Sequence, residues 1–261
     1  MRFQSNAYKA KTKVGMILLI VLVYINSSNT IQSQPPSIEV ILQKYLSSLG
    51  GIENVNAVKV ITVSGFQVER NEVVSADTAH FFHEHRKPNL LKMILVTKKT
   101  DSTTFCLDGT HRFVKGGRFG NRYINIKTLP FSGADPDRPE RGEPFLGDLF
   151  DPDIRKNLVV APDSVIQDTD CYGLTATVYG LTYSFFISKK EGLLVVKKMV
   201  DTDQKVTMLT SYQDFIPVGA LRLPRRIFHR TIGPFASRTE IHIDTYAVST
   251  VEPGLPLCFD P

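Results

Sequence analysis

The sequence lacks most of what marks a reaction centre or a cross-linked scaffold. Its three cysteines, Cys106, Cys171 and Cys258, are scattered. That excludes a disulfide framework and a cysteine zinc site. In an exported chain it leaves at most one internal disulfide and a spare thiol, and buried structural cysteines are expected. Gly-x-Ser-x-Gly is absent. Gly116-Gly117-Arg118-Phe119-Gly120 lacks the strand-to-helix setting and the Lys-Ser/Thr ending of a phosphate cradle, so it reads as a loop. Net charge is also scarce once the first 33 residues are set aside. The whole chain holds 31 basic and 26 acidic residues, the first 33 hold four basic and none acidic, and 27 against 26 remain. Nothing in that balance supports nucleic-acid binding.

Long apolar runs are limited to one, Val14–Ile25, with 12 uncharged residues. It is shorter than the roughly 18–20 residues that span a bilayer. Arg2, Lys9, Lys11 and Lys13 precede it, and a polar stretch to Ser33 follows. This is the three-part pattern of a secretory signal peptide, with cleavage expected near Ser33–Gln34; an uncleaved anchor is the alternative. Residues 1–33 are therefore read as a signal peptide and 34–261 as a single exported domain, long enough to bury a sizeable core.

What is present is helix followed by strand. Ile38, Ile41, Leu42, Tyr45, Leu46 and Leu49 form one apolar stripe at helical spacing. Gly50-Gly51 ends the helix, because the positive φ wanted there is easiest for glycine. After a turn over 52–57 the period becomes two, with Val58, Val60, Thr62 and Ser64 on one face and Lys59, Ile61 and Val63 on the other. Later segments repeat this alternation between short turns such as Asp108-Gly109, 189–192 and 201–204. Phe145, Leu146, Leu149, Phe150 and Ile154 return to helical spacing around Pro152, where Asp151 and Asp153 suit a cap. The expected architecture is mainly β (α+β). A curled antiparallel sheet of about 11 strands forms an open, incomplete barrel, with helices on its concave side.

Several stretches carry the likeness to a known family: ILQKYLSSLGGIENVNAVKVITVSG (41–65), SYQDFIPVGALRLPRRI (211–227), TEIHIDTYAVST (239–250) and the final LCFDP. Together they resemble the outer-membrane lipoprotein-sorting proteins, the LolA-like family. The resemblance implies a half-barrel whose apolar lining accepts acyl chains of lipoproteins or lipids. It also implies a carrier in the periplasm that meets a membrane-bound donor or acceptor and uses neither cofactor nor catalysis.

Four groups of residues are candidates for function. An apolar lining is read from alternation: Phe81 beside Ala79; Leu91, Met93 and Leu95; Tyr183, Phe185 and Ile187; Met208 and Tyr212 with Val206. A filled core under the helices is the plainer account of the same pattern. In His80-Phe81-Phe82-His83-Glu84-His85, the imidazoles of His83 and His85 share a face, with His80 and Glu84 opposite. With His111 or Asp108 they would make a zinc site and a metal-dependent enzyme; a polar outer face is the simpler expectation. Arg112, Arg118 and Arg122 would meet an anionic headgroup at the rim, or lie in solvent. The loop running from Gly116 through Pro130–Pro144 would act as a gate. Cys106 and His111 bracket a hairpin with no third catalytic group. An envelope sensor on the same fold, without transport, is the remaining alternative.

Overall fold

The computed structural model describes residues 36–71, 77–86, 90–98, 101–107, 111–116, 122–125, 149, 151–178, 180–234 and 236–251. The segment read as a signal peptide, most of the 116–144 loop and Cys258 lie outside them.

The predicted stripe forms α1 (Ile38–Leu49). Ser37 caps it, its Oγ accepting from the Val40 amide, and Ile41, Leu42, Tyr45 and Leu49 are buried. Gly50 ends it with φ 120°, its N–H turned back to the carbonyls of Leu46 and Ser47. A second constraint acts at the same residue: a Cβ on Gly50 would stand 2.0 Å from the Ala220 carbonyl oxygen. The end of α1 is thus seated directly on the turn before β12 (Leu221–Ile232). Residues 52–57, expected as a turn, form the short helix α2 (Ile52–Ala57), because Val55 has a buried place against the core. Pro152 starts a helix, with the cap that Asp151 suits. In α3 (Pro152–Lys156) it occupies the first turn, where no N–H is needed, and the Asp151 carboxylate accepts from the amides of Asp153 and Ile154.

Among the described residues 13 strands form one antiparallel sheet. Its order is β6-β5-β4-β3-β2-β1-β13-β12-β11-β10-β9-β8-β7. One meander runs through β1 (Val60–Asn71), β2 (Asp77–Arg86), β3 (Leu90–Lys98), β4 (Asp101–Leu107), β5 (His111–Gly116) and β6 (Arg122–Asn125). The other runs through β7 (Val159–Ile166), β8 (Thr169–Val178), β9 (Leu181–Ser188), β10 (Leu194–Asp201), β11 (Val206–Val218), β12 and β13 (Ser237–Ser249). The first and last strands join them. The sheet does not close, since β6 and β7 are its two ends. The expected half-barrel is therefore present, with 13 strands instead of about 11. The four-residue β6 has too little alternation to read from sequence.

The β1–β13 seam pairs residues from Val60↔Ser249 to Asn71↔Ser237, and its register shifts between Ser64 and Gly65. There Asp244 is an extra residue on β13, a bulge that bends the strand. Gly65 is required at this point, because its Cβ would lie 2.0 Å from the His242 carbonyl oxygen.

One face of the sheet packs against the helices and is called the inner face. Its core joins Ile41, Tyr45 and Leu49 of α1 to strand residues including Ile61, Val63, Leu174, Phe185, Ile187, Leu223 and Ile243. Tyr246 spans this layer, its hydroxyl donating to the Pro224 carbonyl, and burial raises the phenol's pKa. The outer face carries charge and rings. Arg226 meets Asp214 at 3.5 Å and Glu240 at 3.1 Å, while Phe66 stacks on His242 with ring centres 4.6 Å apart.

The two glycines after α1 separate steric contact from backbone strain. Gly51 also has positive φ, 92°, but a Cβ there meets nothing within 4 Å. Gly51→Ala is predicted to cost about 1–3 kcal/mol from backbone conformation alone (φ 92°, ψ 150°). Gly50→Ala, which adds a backbone clash, is predicted to cost more than Gly51→Ala. Urea unfolding midpoints of the two variants check this order.

Candidate ligand-binding face

Strand register places the predicted residues on the inner face row by row. Gly65 lies across from Phe81, and Phe81 from Leu95. Val63 lies across from His83, and His83 from Met93. Ile61 lies across from His85, and His85 from Leu91. On the far side of the seam, Gln67 faces Ile241, Ile241 faces Ile227, and Ile227 faces Tyr212. Met208 faces Met199, and Met199 faces Tyr183. Residues more than 100 positions apart in the chain thus share one surface, because cross-strand neighbours point the same way.

The face is unevenly filled. Phe185 and Ile187 are fully buried, so two of the residues predicted to line a cavity are core under α1. Tyr183, Tyr212, Phe81 and Ile241 are only partly buried and pack against the edge of that core. Met93 and Leu95 are half-buried, and Met208 is 41% exposed. The backbone of Leu91 pairs with His85 and Leu107, and its side chain is not among those described. The result is a continuous apolar surface: solid beneath the helix, and partly uncovered beyond it. Sequence reasoning missed Ile241 and Met199. Ile241 was legible from its alternation with Ile243. Met199 was hidden by the bulge at Val195 in β10, which breaks the two-residue period.

Polar groups on this face include Gln67 opposite Ile241, Lys197 opposite Phe185 and Thr210, and several enclosed histidines. His83 and His85 do share a face, as their spacing predicts, but it is the inner one and not a solvated outer face. His85 is buried. The Nε2 atom of His83 is sealed from solvent and has no hydrogen-bond partner. Burial pushes the His83 imidazole down to about 4. His229, opposite Thr210 in the register, shares a hydrogen bond of 3.0 Å between its Nδ1 and the Thr210 hydroxyl. Burial, with Lys197 nearby, holds His229 at about 4 as well. Both rings are therefore neutral at pH 7.

The remaining candidates separate. His80 and Glu84 fall on the outer face, where Glu84 pairs with Arg86 at 2.6 Å. His111 opens β5, and Asp108 lies outside the described residues. Among the described residues no group of three or more His, Cys, Asp or Glu is placed to hold a metal. Arg112 and Arg122 belong to the β5–β6 hairpin at one end of the sheet, and Arg118 lies outside the described residues. Cys106 is disulfide-bonded and Cys171 is a buried free thiol.

The sequence matches no family model and no curated protein. Solved structures do match. The LolA superfamily protein of Nitrosomonas europaea superposes with a TM-score of 0.58 at 10% identity, covering 84% of this chain and 96% of that one. The fold is LolA-like. A domain of Vibrio parahaemolyticus titled as an outer membrane lipoprotein-sorting protein gives 0.55 at 13% identity, covering 83% and 92%. A DUF1329 family protein of Desulfovibrio piger gives 0.55 at 11%, covering 85% and 96%. The likeness extends over nearly the full length of each relative, so the LolA-like half-barrel accounts for almost all of the described chain. Among the described residues no helix is long and apolar enough to cross a membrane.

The two imidazoles dictate how stability depends on pH. Each folded-state pKa lies below the unfolded value near 6.5, so the unfolded chain takes up protons first. Stability is fully present above about pH 6.5 and is lost as pH falls toward 4, by about 1.4 kcal/mol per pH unit for each ring. Urea unfolding between pH 7.5 and 4.5 is predicted to show this slope. Replacing His83 and His229 together by Gln is predicted to flatten it.

Proposed function

We propose that this LolA-like half-barrel is a carrier that binds acyl chains of a lipid or an acylated protein on the uncovered part of its inner face. The observation that carries this reading is the uneven filling of that face. Phe81, Tyr183, Tyr212 and Ile241 are left partly buried, and Met208 is substantially exposed, beside a core that is otherwise sealed. An apolar surface of this kind gains by taking up hydrocarbon, at about 0.8 kcal/mol for each buried CH₂ group. About ten such groups amount to about 8 kcal/mol, the free energy of a reversible micromolar complex. Aromatic and methionine side chains suit a flexible cargo, because they offer contact without a fixed shape.

The reading places the protein in the periplasm, with the cargo shielded from water until a tighter-binding acceptor takes it. Two things support it: the signal-like Arg2–Ser33 segment and a fold shared with a protein titled for lipoprotein sorting. Binding, not catalysis, is the activity proposed. The lining is mostly apolar area, with enclosed histidines and Lys197 among it, and burial of apolar area is nondirectional.

Detergent-free protein is predicted to take up a fluorescent long-chain acyl ester with micromolar affinity and to carry a lipid-mass adduct in native mass spectrometry. Phe81→Asp, which puts a charge on the partly open surface, is predicted to weaken uptake at least tenfold while leaving the circular dichroism spectrum unchanged. A wild-type protein that takes up no probe contradicts the proposal.

A further inference from the structure

Among the described residues, one side-chain hydrogen-bonding atom enclosed at the inner face has no partner, next to the partly exposed part of that face, and that atom bears on what the cargo is. His83 Nε2 is enclosed and unpartnered. Its cross-strand neighbours are Val63 on β1 and Met93 on β3, neither of which has a polar side-chain group to offer. Along β2 the next residues on the same face are Phe81, half-buried, and His85, which has interactions of its own. Glu84, adjacent in sequence, points to the outer face and is engaged with Arg86. Buried polar atoms almost always have a partner, so an exception beside a partly exposed apolar surface points to a group that arrives with the ligand.

The chemistry of the ring narrows that group. Burial keeps the imidazole neutral, so Nε2 offers a single N–H or a single lone pair and no charge. A carboxylate brought beside it would be stripped of water with no opposing charge, which is unfavourable. The carbonyl oxygen of an ester or amide is uncharged, accepts one hydrogen bond and sits at the polar end of every acyl chain attached to a larger molecule.

We infer that His83 Nε2 donates to the carbonyl of an acyl ester or amide, so that the half-barrel selects esterified or amide-linked chains over bare hydrocarbon and free fatty-acid anions. This rests on the acyl-carrier reading above, and it adds the residue that recognises the point of attachment. The apolar surface supplies the affinity, and His83 fixes how far the chain is inserted.

The test compares two ligands that differ by that carbonyl alone: 1-palmitoyl-glycerol, an ester, and 1-hexadecyl-glycerol, an ether. Both are titrated by native mass spectrometry into the wild-type protein, His83→Leu and His83→Gln. The wild type is expected to prefer the ester on the order of tenfold, the worth of one buried hydrogen bond. His83→Leu is expected to bind both with the affinity the wild type has for the ether, and His83→Gln, which keeps a donor, to recover part of the preference. The ligand-free melting temperature of His83→Leu is expected to be no lower than that of the wild type, because the substitution removes an unsatisfied polar atom. Equal binding of ester and ether by the wild type, or an ester preference that survives in His83→Leu, overturns the assignment while leaving the carrier reading intact. Binding of neither ligand by the wild type overturns both.

Discussion

The pairing of β1 with β13 is the constraint from which the rest of the architecture follows. Each meander alone is a run of hairpins with a free edge. Joining the first strand to the last makes them one sheet and gives them a common inner face. The bulge at Asp244 and the glycine opposite it bend the seam where the two halves meet. Through this seam Phe81 from the first meander and Ile241, Tyr212 and Tyr183 from the second share one inner face. α1 can cover only part of a face that wide. The rest stays apolar and partly uncovered, and the functional proposal depends on that remainder.

The inner face therefore has two regimes of packing. In the core beneath the helices, side chains such as Phe185, Ile187, Leu174 and Leu223 are sealed as in any protein interior. Beyond it the same alternation continues, with side chains such as Tyr183 and Met208 left partly exposed. Stability and binding draw on one hydrophobic surface, and its boundary runs between Phe185 and its neighbour Tyr183 two residues away. Neutral histidines fit this setting better than acids or amines would. They cost less to bury, and they still offer a directed hydrogen bond in a surface that otherwise reads only apolar area.

Much of the fold was legible in the sequence because backbone periodicity reports it. The stripe from Ile38 to Leu49, the glycine stop and the alternation along the later strands each have one structural solution. The likeness in 41–65 and 211–250 fits as well, since those segments form α1, the seam and the β11–β12 pair. Which part of the inner face is sealed was not legible. Phe185 and Phe81 look alike in a strand, and only the position of α1 above the sheet separates them. The spacing of His83 and His85 fits a polar outer face equally well, because such a face needs no special explanation. Register against Val63 and Met93 turned them inward, and register is set by partners distant in sequence. The strands at the seam were visible one by one, but their pairing was not.

The central claim is that acyl chains occupy the partly open inner face, and photocrosslinking tests it most directly. A palmitoyl probe with a diazirine near the chain end is bound to the detergent-free protein and irradiated, and the labelled peptides are mapped by mass spectrometry. The account predicts labels concentrated in β2, β11 and the Arg238–Ser249 part of β13, on Phe81, Tyr212, Ile241 and their inner-face neighbours, and suppressed by unlabelled lipid. Labels on outer-face residues such as Phe66 and Phe82, or labelling that excess lipid does not compete away, would contradict it.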